Sequence, residues 1–317
     1  MPILRPATLA DAPAITAIHC SDIVAWKRWD AEGQPHFVDY ADLTGYERWL
    51  NGGPWMDEST CALHLARWLA NGGVALVAEE DGQVRAEAEA IVSDEPPPFG
   101  RNLNLSVLYT LRGHAGRGLG SALMRELLAI AQQEACDTFM VSHAEAPQFY
   151  ARHGLALAQT WRRVRLPAKL SQTQYSAESF DAASYEAARG WAMPVGRHQS
   201  ARQEWERLRP GAEPAFAEWR GLRLERWRLT VRRAPAVLIL DESPRERGVA
   251  NVHLWLPPGQ TLSRQLLAAG RDRAARSGFT ELACFANETQ TLHFGPEARD
   301  DGYAQQVWLK KLREKFD

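Results

Sequence analysis

The chain has 317 residues, of which 45% are hydrophobic and 24% charged, and it carries a formal net charge of −2. These are ordinary globular values, and the length suits two compact domains. Near-neutral charge argues against a general nucleic-acid or membrane-surface binder, and no apolar run approaches the ~18 residues that span a bilayer.

In chain order, the opening segment Ile3–His19 places Asp11 where it can cap a helix. The insert that follows is rich in aromatic residues, with Trp26, Trp29, Phe37, Tyr40, Tyr46, Trp49 and Trp55. It also holds Asp22, Asp30, Glu32, Asp39, Asp42 and Glu47. Aromatic faces beside carboxylates suit a cationic or ring-bearing ligand, and they also suit the apolar side of surface helices. The paired glycines in Trp49–Trp55 predict a mobile loop. Val74–Glu79, Val84–Val92 and Leu103–Thr110 read as three strands, with Asp81-Gly82 as a hairpin turn between the first two. On the second of these, Glu87 and Glu89 lie two apart and share a face, opposite Ala86, Ala88 and Ala90. That face either looks into a ligand cleft or is solvated.

The stretch Leu108–Met124 then reads as a strand end, a glycine-rich turn and the start of an amphipathic helix. Gly116, Gly118 and Gly120 lack a Cβ, so the backbone can turn tightly and approach a ligand. Successive N–H groups at a helix N-terminus make a cradle for phosphate or pyrophosphate. No Lys-Ser/Thr follows the glycines, so this is no P-loop, and Gly116-x-Gly118-x-Gly120 is not the dinucleotide spacing.

This loop resembles the acyl-CoA loop of the GNAT N-acyltransferase superfamily, Gln/Arg-x-x-Gly-x-Gly/Ala. Ala115 stands at the Gln/Arg place, Gly118 at the first Gly and Gly120 at the last. The departure at Ala115 removes a phosphate-binding side chain, and Arg112, His114 and Arg117 are the nearby replacements. Ile3–His19 looks like the family's first strand and helix. Ala146-Pro-Gln-Phe-Tyr-Ala-Arg-His-Gly-Leu155 is similar to its late Ala-x-x-Phe-Tyr-x-x-x-Gly-Phe segment. The resemblance covers residues 1–166.

What the resemblance implies is an α+β fold of mixed, mostly antiparallel sheet flanked by helices, with acetyl-CoA as co-substrate. The pantetheine arm would pair with backbone at Tyr109, Thr110 and Leu111. The pyrophosphate would sit on the amides of Gly116, Arg117, Gly118, Leu119, Gly120 and Ser121, with Arg112 and Arg117 adding charge. His143 and Phe149 would complete the CoA contacts. An amine attacks the thioester directly, so one group must take a proton from the ammonium and another must protonate the leaving thiolate. Tyr150 matches the family's tyrosine acid, its alternative being a ring that packs beside Phe149. Glu87 and Glu89 are the candidates for the base. The aromatic insert would form the acceptor wall.

Residues 167–185 read as a connector. After it, Leu222–Arg232, Ala236–Asp241 and Val249–Leu256 read as strands, and Thr261 is placed to cap a helix running to Ser277 with Gly278 as its stop. Thr280–Ala286 follows as a strand, and Tyr303–Leu312 as a closing strand or hairpin arm. The order resembles a second, degenerate GNAT-like lobe at 186–317. There Pro257-Pro-Gly-Gln-Thr261 keeps one glycine, so the cradle is lost and the lobe is expected to be non-catalytic.

The leading expectation is a cytoplasmic N-acetyltransferase that acetylates the primary amine of a small molecule, acting as monomer or homodimer, with no nucleic-acid or membrane partner. The acidic first half mildly favours a cationic acceptor. A CoA-binding sensor or scaffold without turnover is the alternative. A tandem layout like that of mycothiol synthase is a third, disfavoured because that family's chemistry sits in the C-terminal lobe. Cys20, Cys61, Cys136 and Cys284 are scattered, which suggests a reducing compartment and no disulfide framework. The nine histidines show no metal spacing, so no metal is expected. The start of the chain has no basic stretch followed by an apolar core, the pattern of a signal peptide.

Overall fold

Strand alternation and one two-residue turn organise the first sheet. A computed structural model describes residues 2–30, 33–181, 184–210 and 216–313. The chain forms two compact units. The first contains residues 1–92 and 103–139, the second 93–102 and 140–317.

The first unit opens with β1 (Ile3–Pro6) and α1 (Ala12–Cys20), then the short β2 (Lys27–Trp29) and β3 (Pro35–Phe37). Next come α2 (Gly45–Gly52), α3 (Glu58–Ala70), β4 (Gly73–Glu80), β5 (Gln83–Asp94), β6 (Arg101–Thr110) and α4 (Leu119–Gln133). The strands lie in the order β1-β4-β5-β6, with β2 and β3 forming a separate ribbon. β4 and β5 pair antiparallel with Glu80 opposite Gln83, which leaves Asp81-Gly82 as the predicted two-residue turn. Both turn residues have positive φ, 53° and 71°, as that hairpin type requires. Ile15, Cys61, Leu65, Val77 and Ile91 form the core between α1, α3 and the sheet.

Two local expectations are corrected. Asp11 does not cap α1 forward. Its carboxylate accepts from the Thr8 N–H at 2.7 Å and from Arg5, and so closes a preceding 3-10 turn. The segment at Trp49–Trp55 is not a loop throughout. Trp49 to Gly52 is the last turn of α2, capped at its start by Thr44, and Gly53 with φ of 88° ends the helix.

The second unit contains β7 (Thr138–Val141), α5 (Pro147–Arg152), β8 (Ala156–Pro167), β9 (Ser176–Ser179), β10 (Ala192–Val195) and α6 (Ala201–Leu208). β11 (Leu224–Val231), β12 (Ala234–Glu242), β13 (Val249–Leu256), α7 (Arg264–Arg276), β14 (Glu281–Asn287), α8 (Glu288–Thr291) and β15 (Arg299–Lys311) complete it. Its strand order is β7-β15-β8-β14-β13-β12-β11-β9. β11, β12 and β13 pair antiparallel, and β14 runs parallel to β13 after the α7 crossover. The stretch read as a connector contributes β9, which pairs with β11. The closing strand β15 pairs with β8, as far back as Ala156, and lies between β7 and β8.

The α7 cap is Ser263, not Thr261: its hydroxyl accepts the Leu266 N–H at 3.2 Å. The turn at Gly259, with φ of 81°, uses up the residues before it. Gly278 stops the helix as expected, with φ of 79°.

Candidate functional site

β6 leads into a turn where Gly113, Gly116 and Gly118 have φ of 87°, 80° and 85°. Side chains of L residues are strained there. A Cβ built on any of the three meets nothing within 4 Å, so the backbone demands glycine while the space above it stays open. Gly118 is the N-cap of α4 and supplies no side-chain cap. By helix geometry the first-turn amides, of Leu119, Gly120 and Ser121, emerge at the positive end of the helix dipole. An open, glycine-lined cradle at an uncapped helix start fits a pyrophosphate.

The charges around it are partly spent. His114 Nδ1 and Arg117 Nη1 both hold Glu80 Oε2, at 2.9 and 3.1 Å. The His114 hydrogen bond, with Arg117 adding, keeps the Glu80 carboxyl below its ordinary range. Arg112 is exposed, and its backbone N–H donates to Ser21 Oγ at 3.0 Å. The Leu111 N–H already donates to the Arg85 carbonyl at 2.7 Å, and the Leu111 carbonyl accepts from His114. Leu111 therefore has little backbone left for a ligand.

Glu87 and Glu89 share a face of β5, but it is neither solvated nor open. Both are 0% exposed, and so are Ala86, Ala88 and Ala90 opposite. The strand is covered on both sides. His19 of α1 meets Glu87 Oε1 through Nε2. His64 of α3 meets Glu89 Oε2 at 2.8 Å, and Trp55 Nε1 donates to Glu89 Oε1 at 2.9 Å. The Trp55 ring lies parallel over His19 with centroids 5.1 Å apart and meets His64 edge-on at 4.9 Å. Tyr109 closes the other side of His19 at 4.3 Å.

The two carboxylates are pushed in opposite directions. Burial raises Glu87, and the charge and hydrogen bond of His19 only partly offset it, because Glu87 Oε2 has no hydrogen-bond partner. Burial also acts on Glu89, but the His64 charge and the His64 and Trp55 hydrogen bonds outweigh it and lower the carboxyl. His64 is likewise raised: burial opposes its charge, and Glu89 more than compensates. Of the two histidines and two glutamates, His64 is the one that reaches toward solvent, at 21% exposure.

His143, Phe149 and Tyr150 belong to the second unit. Phe149 and Tyr150 sit on α5, edge to face at 5.3 Å, and Tyr150 is 8% exposed. His143 follows β7 and donates through Nε2 to Glu145 Oε1 at 3.0 Å. Of the insert residues expected to form an acceptor wall, Trp55 joins the buried network, Trp26 packs on Tyr40 at 4.8 Å, and Phe37 is 77% exposed. Glu32 lies outside the described residues. His19 and His64 were not legible as partners, since each meets its glutamate across the fold. Among the described residues no group of three or more His, Cys, Asp or Glu could hold a metal ion, and no helix is long and apolar enough to cross a membrane.

Residues 36–155 match the model of the acetyltransferase (GNAT) family. The whole chain shares its fold with a GCN5-related N-acetyltransferase from Anabaena variabilis ATCC 29413, at 11% identity and a TM-score of 0.65, over 99% of this chain and 73% of that one. A GCN5-related N-acetyltransferase from Kribbella flavida is similar at 13% identity and 0.60, covering 98% and 71%. Eis1 from Mycobacterium abscessus is similar at 15% identity and 0.51, covering 98% and 73%. No curated protein matches the sequence significantly. The fold is thus α+β, with mostly antiparallel sheet flanked by helices, in a two-lobe chain. Acetyl-CoA is the acetyl donor of the family, and the open cradle at Gly116–Gly120 suits its pyrophosphate.

Proposed function

We propose that the protein transfers an acetyl group from acetyl-CoA directly to the primary amine of a small molecule. The observation that carries this reading is the cradle: positive-φ glycines with open space above them, leading into an uncapped helix, inside the segment that matches the family. The amides from Gly116 to Ser121 hold the pyrophosphate, with Arg112 and Arg117 beside it. Tyr109 and Thr110 orient the pantetheine arm, and His143 and Phe149 line it.

The amine loses a proton and forms the new C–N bond as the C–S bond breaks. Tyr150 gives its phenolic proton to the departing thiolate, for which a phenol of ordinary pKa ~10 is suited. Glu87 and Glu89 are sealed from contact with an acceptor, so they act behind their histidines as positioning carboxylates. His64, at the outer end, is the group through which the network exchanges protons.

We further propose lobes at 1–166 and 186–317 joined by 167–185, with only the first catalytic. The two helices in equivalent places support this division. α4 begins at a glycine without a side-chain cap, whereas α7 fills its own N-terminus with the Ser263 hydroxyl. A second reading, a CoA-binding protein without turnover, draws on the complete burial of Glu87 and Glu89.

The test is release of free thiol from acetyl-CoA across a panel of primary amines. Amine-dependent release is the expected result. Tight acetyl-CoA binding without release on any amine would favour the second reading.

A further inference from the structure

Among the described residues, one turn puts two consecutive non-glycine residues in the left-handed region, and both are arginines. Val231 pairs with Ala234 across β11 and β12, which leaves Arg232-Arg233 as a two-residue turn with φ of 49° and 71°. The β4–β5 hairpin makes the same turn with Asp81-Gly82, at 53° and 71°. Asp tolerates that conformation and Gly adopts it freely, whereas an arginine is strained there. Residues held in this way gather at ligand clamps and switches.

Both arginines are exposed, and neither has an ion-pair or hydrogen-bond partner among the described residues. A third unmatched and exposed guanidinium, Arg264, opens α7 at the same end of the sheet. β13 ends beside the start of β12, with Trp255 opposite Val237, so α7 begins at that end. The helix packs on the face that holds Leu229 and Val231, through Leu266 and Leu267. A Cβ on Gly270 would lie 3.9 Å from Leu238. From that contact α7 runs back about 9 Å to Arg264 and β12 about 13 Å to the turn, at ~1.5 and ~3.3 Å per residue.

The stretches that form this end, 230–236 and 255–265, contain no acidic residue. Down the ladder from the turn the first carboxylate is Glu178, opposite Arg228. Gly259 has φ of 81°, and a Cβ there meets nothing within 4 Å, so its side of the loop is open. β10 pairs with the end of β13, Ala192 opposite Leu256 and Val195 opposite Leu254, so backbone there is not free to pair with a long arm such as pantetheine. Guanidinium groups give paired N–H bonds to phosphate oxygens, and three of them in a small area suit a compact multivalent anion. The patch is one hairpin tip wide in a chain of net charge −2, too small to track a nucleic-acid backbone.

We infer that Arg232, Arg233 and Arg264 form an anion site on the second unit that takes a diphosphate group, borne by a ligand smaller than CoA. The site is independent of the acetyltransfer reading.

The test is titration calorimetry at pH 8 and low salt with inorganic pyrophosphate, on the full chain carrying Gly118→Asp to close the first cradle to anions. One saturable site, weakened by added salt, is expected. Arg232→Asn with Arg233→Gly removes two cations and the strain together. It should weaken binding at least tenfold and raise the melting temperature. In the wild-type background the same double variant gives the comparison without Gly118→Asp. Arg264→Gln should weaken binding at least threefold with an unchanged melting temperature. Citrate, similar in charge but less compact, should bind at least threefold more weakly than pyrophosphate. ADP binding as tight as pyrophosphate would support a nucleotide as the ligand, and weaker ADP binding the inorganic anion. No saturable binding, unaltered binding in the double variant, a lowered melting temperature in it, or equal binding of citrate would overturn the site.

Discussion

Glu87 and Glu89 stand two residues apart on one strand, equally buried, yet Gln should affect them very differently. Glu89 accepts from two donors, Trp55 Nε1 and His64 Nε2. In Glu89→Gln the amide oxygen can keep the Trp55 N–H, but the NH2 can donate to His64 Nε2 only when His64 gives up its charge and holds its proton on Nδ1. Breaking this buried charge pair costs about 3 kcal/mol, the lower end for such a pair. That corresponds to a fall in melting temperature of about 6–12 °C. Glu87 has one oxygen without a partner and a raised pKa, so Gln imitates its protonated form. Glu87→Gln should cost about 1 kcal/mol or less.

The pH dependence provides the sharper check. Glu89 is lowered, so its contribution is present above its ordinary 4.5 and is lost as pH falls through the lowered value. His64 is raised, so its contribution is full below 6.5 and is lost as pH rises through the raised value. The gap between wild type and Glu89→Gln should therefore be widest from pH 4.5 to 6.5 and narrow on both sides. Glu87 is raised, so the wild type loses stability as pH climbs from 4.5 through the raised value, and Glu87→Gln should gain on it there. Calorimetry of the three proteins from pH 4 to pH 9 would measure this. Equal costs for the two variants, or a pH-independent gap for Glu89→Gln, would refute the assignment of opposite shifts.

Tyr150→Phe should keep acetyl-CoA binding and slow single-turnover acetyl transfer by roughly 10²–10⁴-fold, with loss of the alkaline decline expected of the wild type. Native single-turnover rates would reduce Tyr150 to packing. Glu80→Gln should release Arg117 and His114 toward the cradle and tighten acetyl-CoA binding a few-fold at low salt, an effect that fades as screening rises. Unchanged affinity at both ionic strengths would place the phosphates away from that pair.

What could be read from the sequence follows from how local the physics is. Gly116 and Gly118 were legible because only glycine takes those φ values cheaply, and Asp81-Gly82 because a two-residue turn constrains its own residues. The shared face of Glu87 and Glu89 follows from strand period alone. Their burial does not, because it depends on α1 and α3 bringing His19 and His64 from elsewhere in the chain. β15 alternated well enough to be recognised as a strand. Its place beside β8 was invisible, since pairing over that separation leaves no local pattern. At α7 the sequence signal was ambiguous: Thr261 and Ser263 are both good caps, and the Gly259 turn decided between them.

The central claim is that acetyl-CoA binds once, on the Gly116–Gly120 cradle. Titration calorimetry with acetyl-CoA, on the wild type and on Gly118→Asp, tests it most directly. One site per chain is expected, and the variant should lose at least ~2 kcal/mol of binding, because a carboxylate enters the anion site and opposes the phosphates. Two equivalent sites, or a folded Gly118→Asp variant that binds acetyl-CoA as tightly as the wild type, would contradict it.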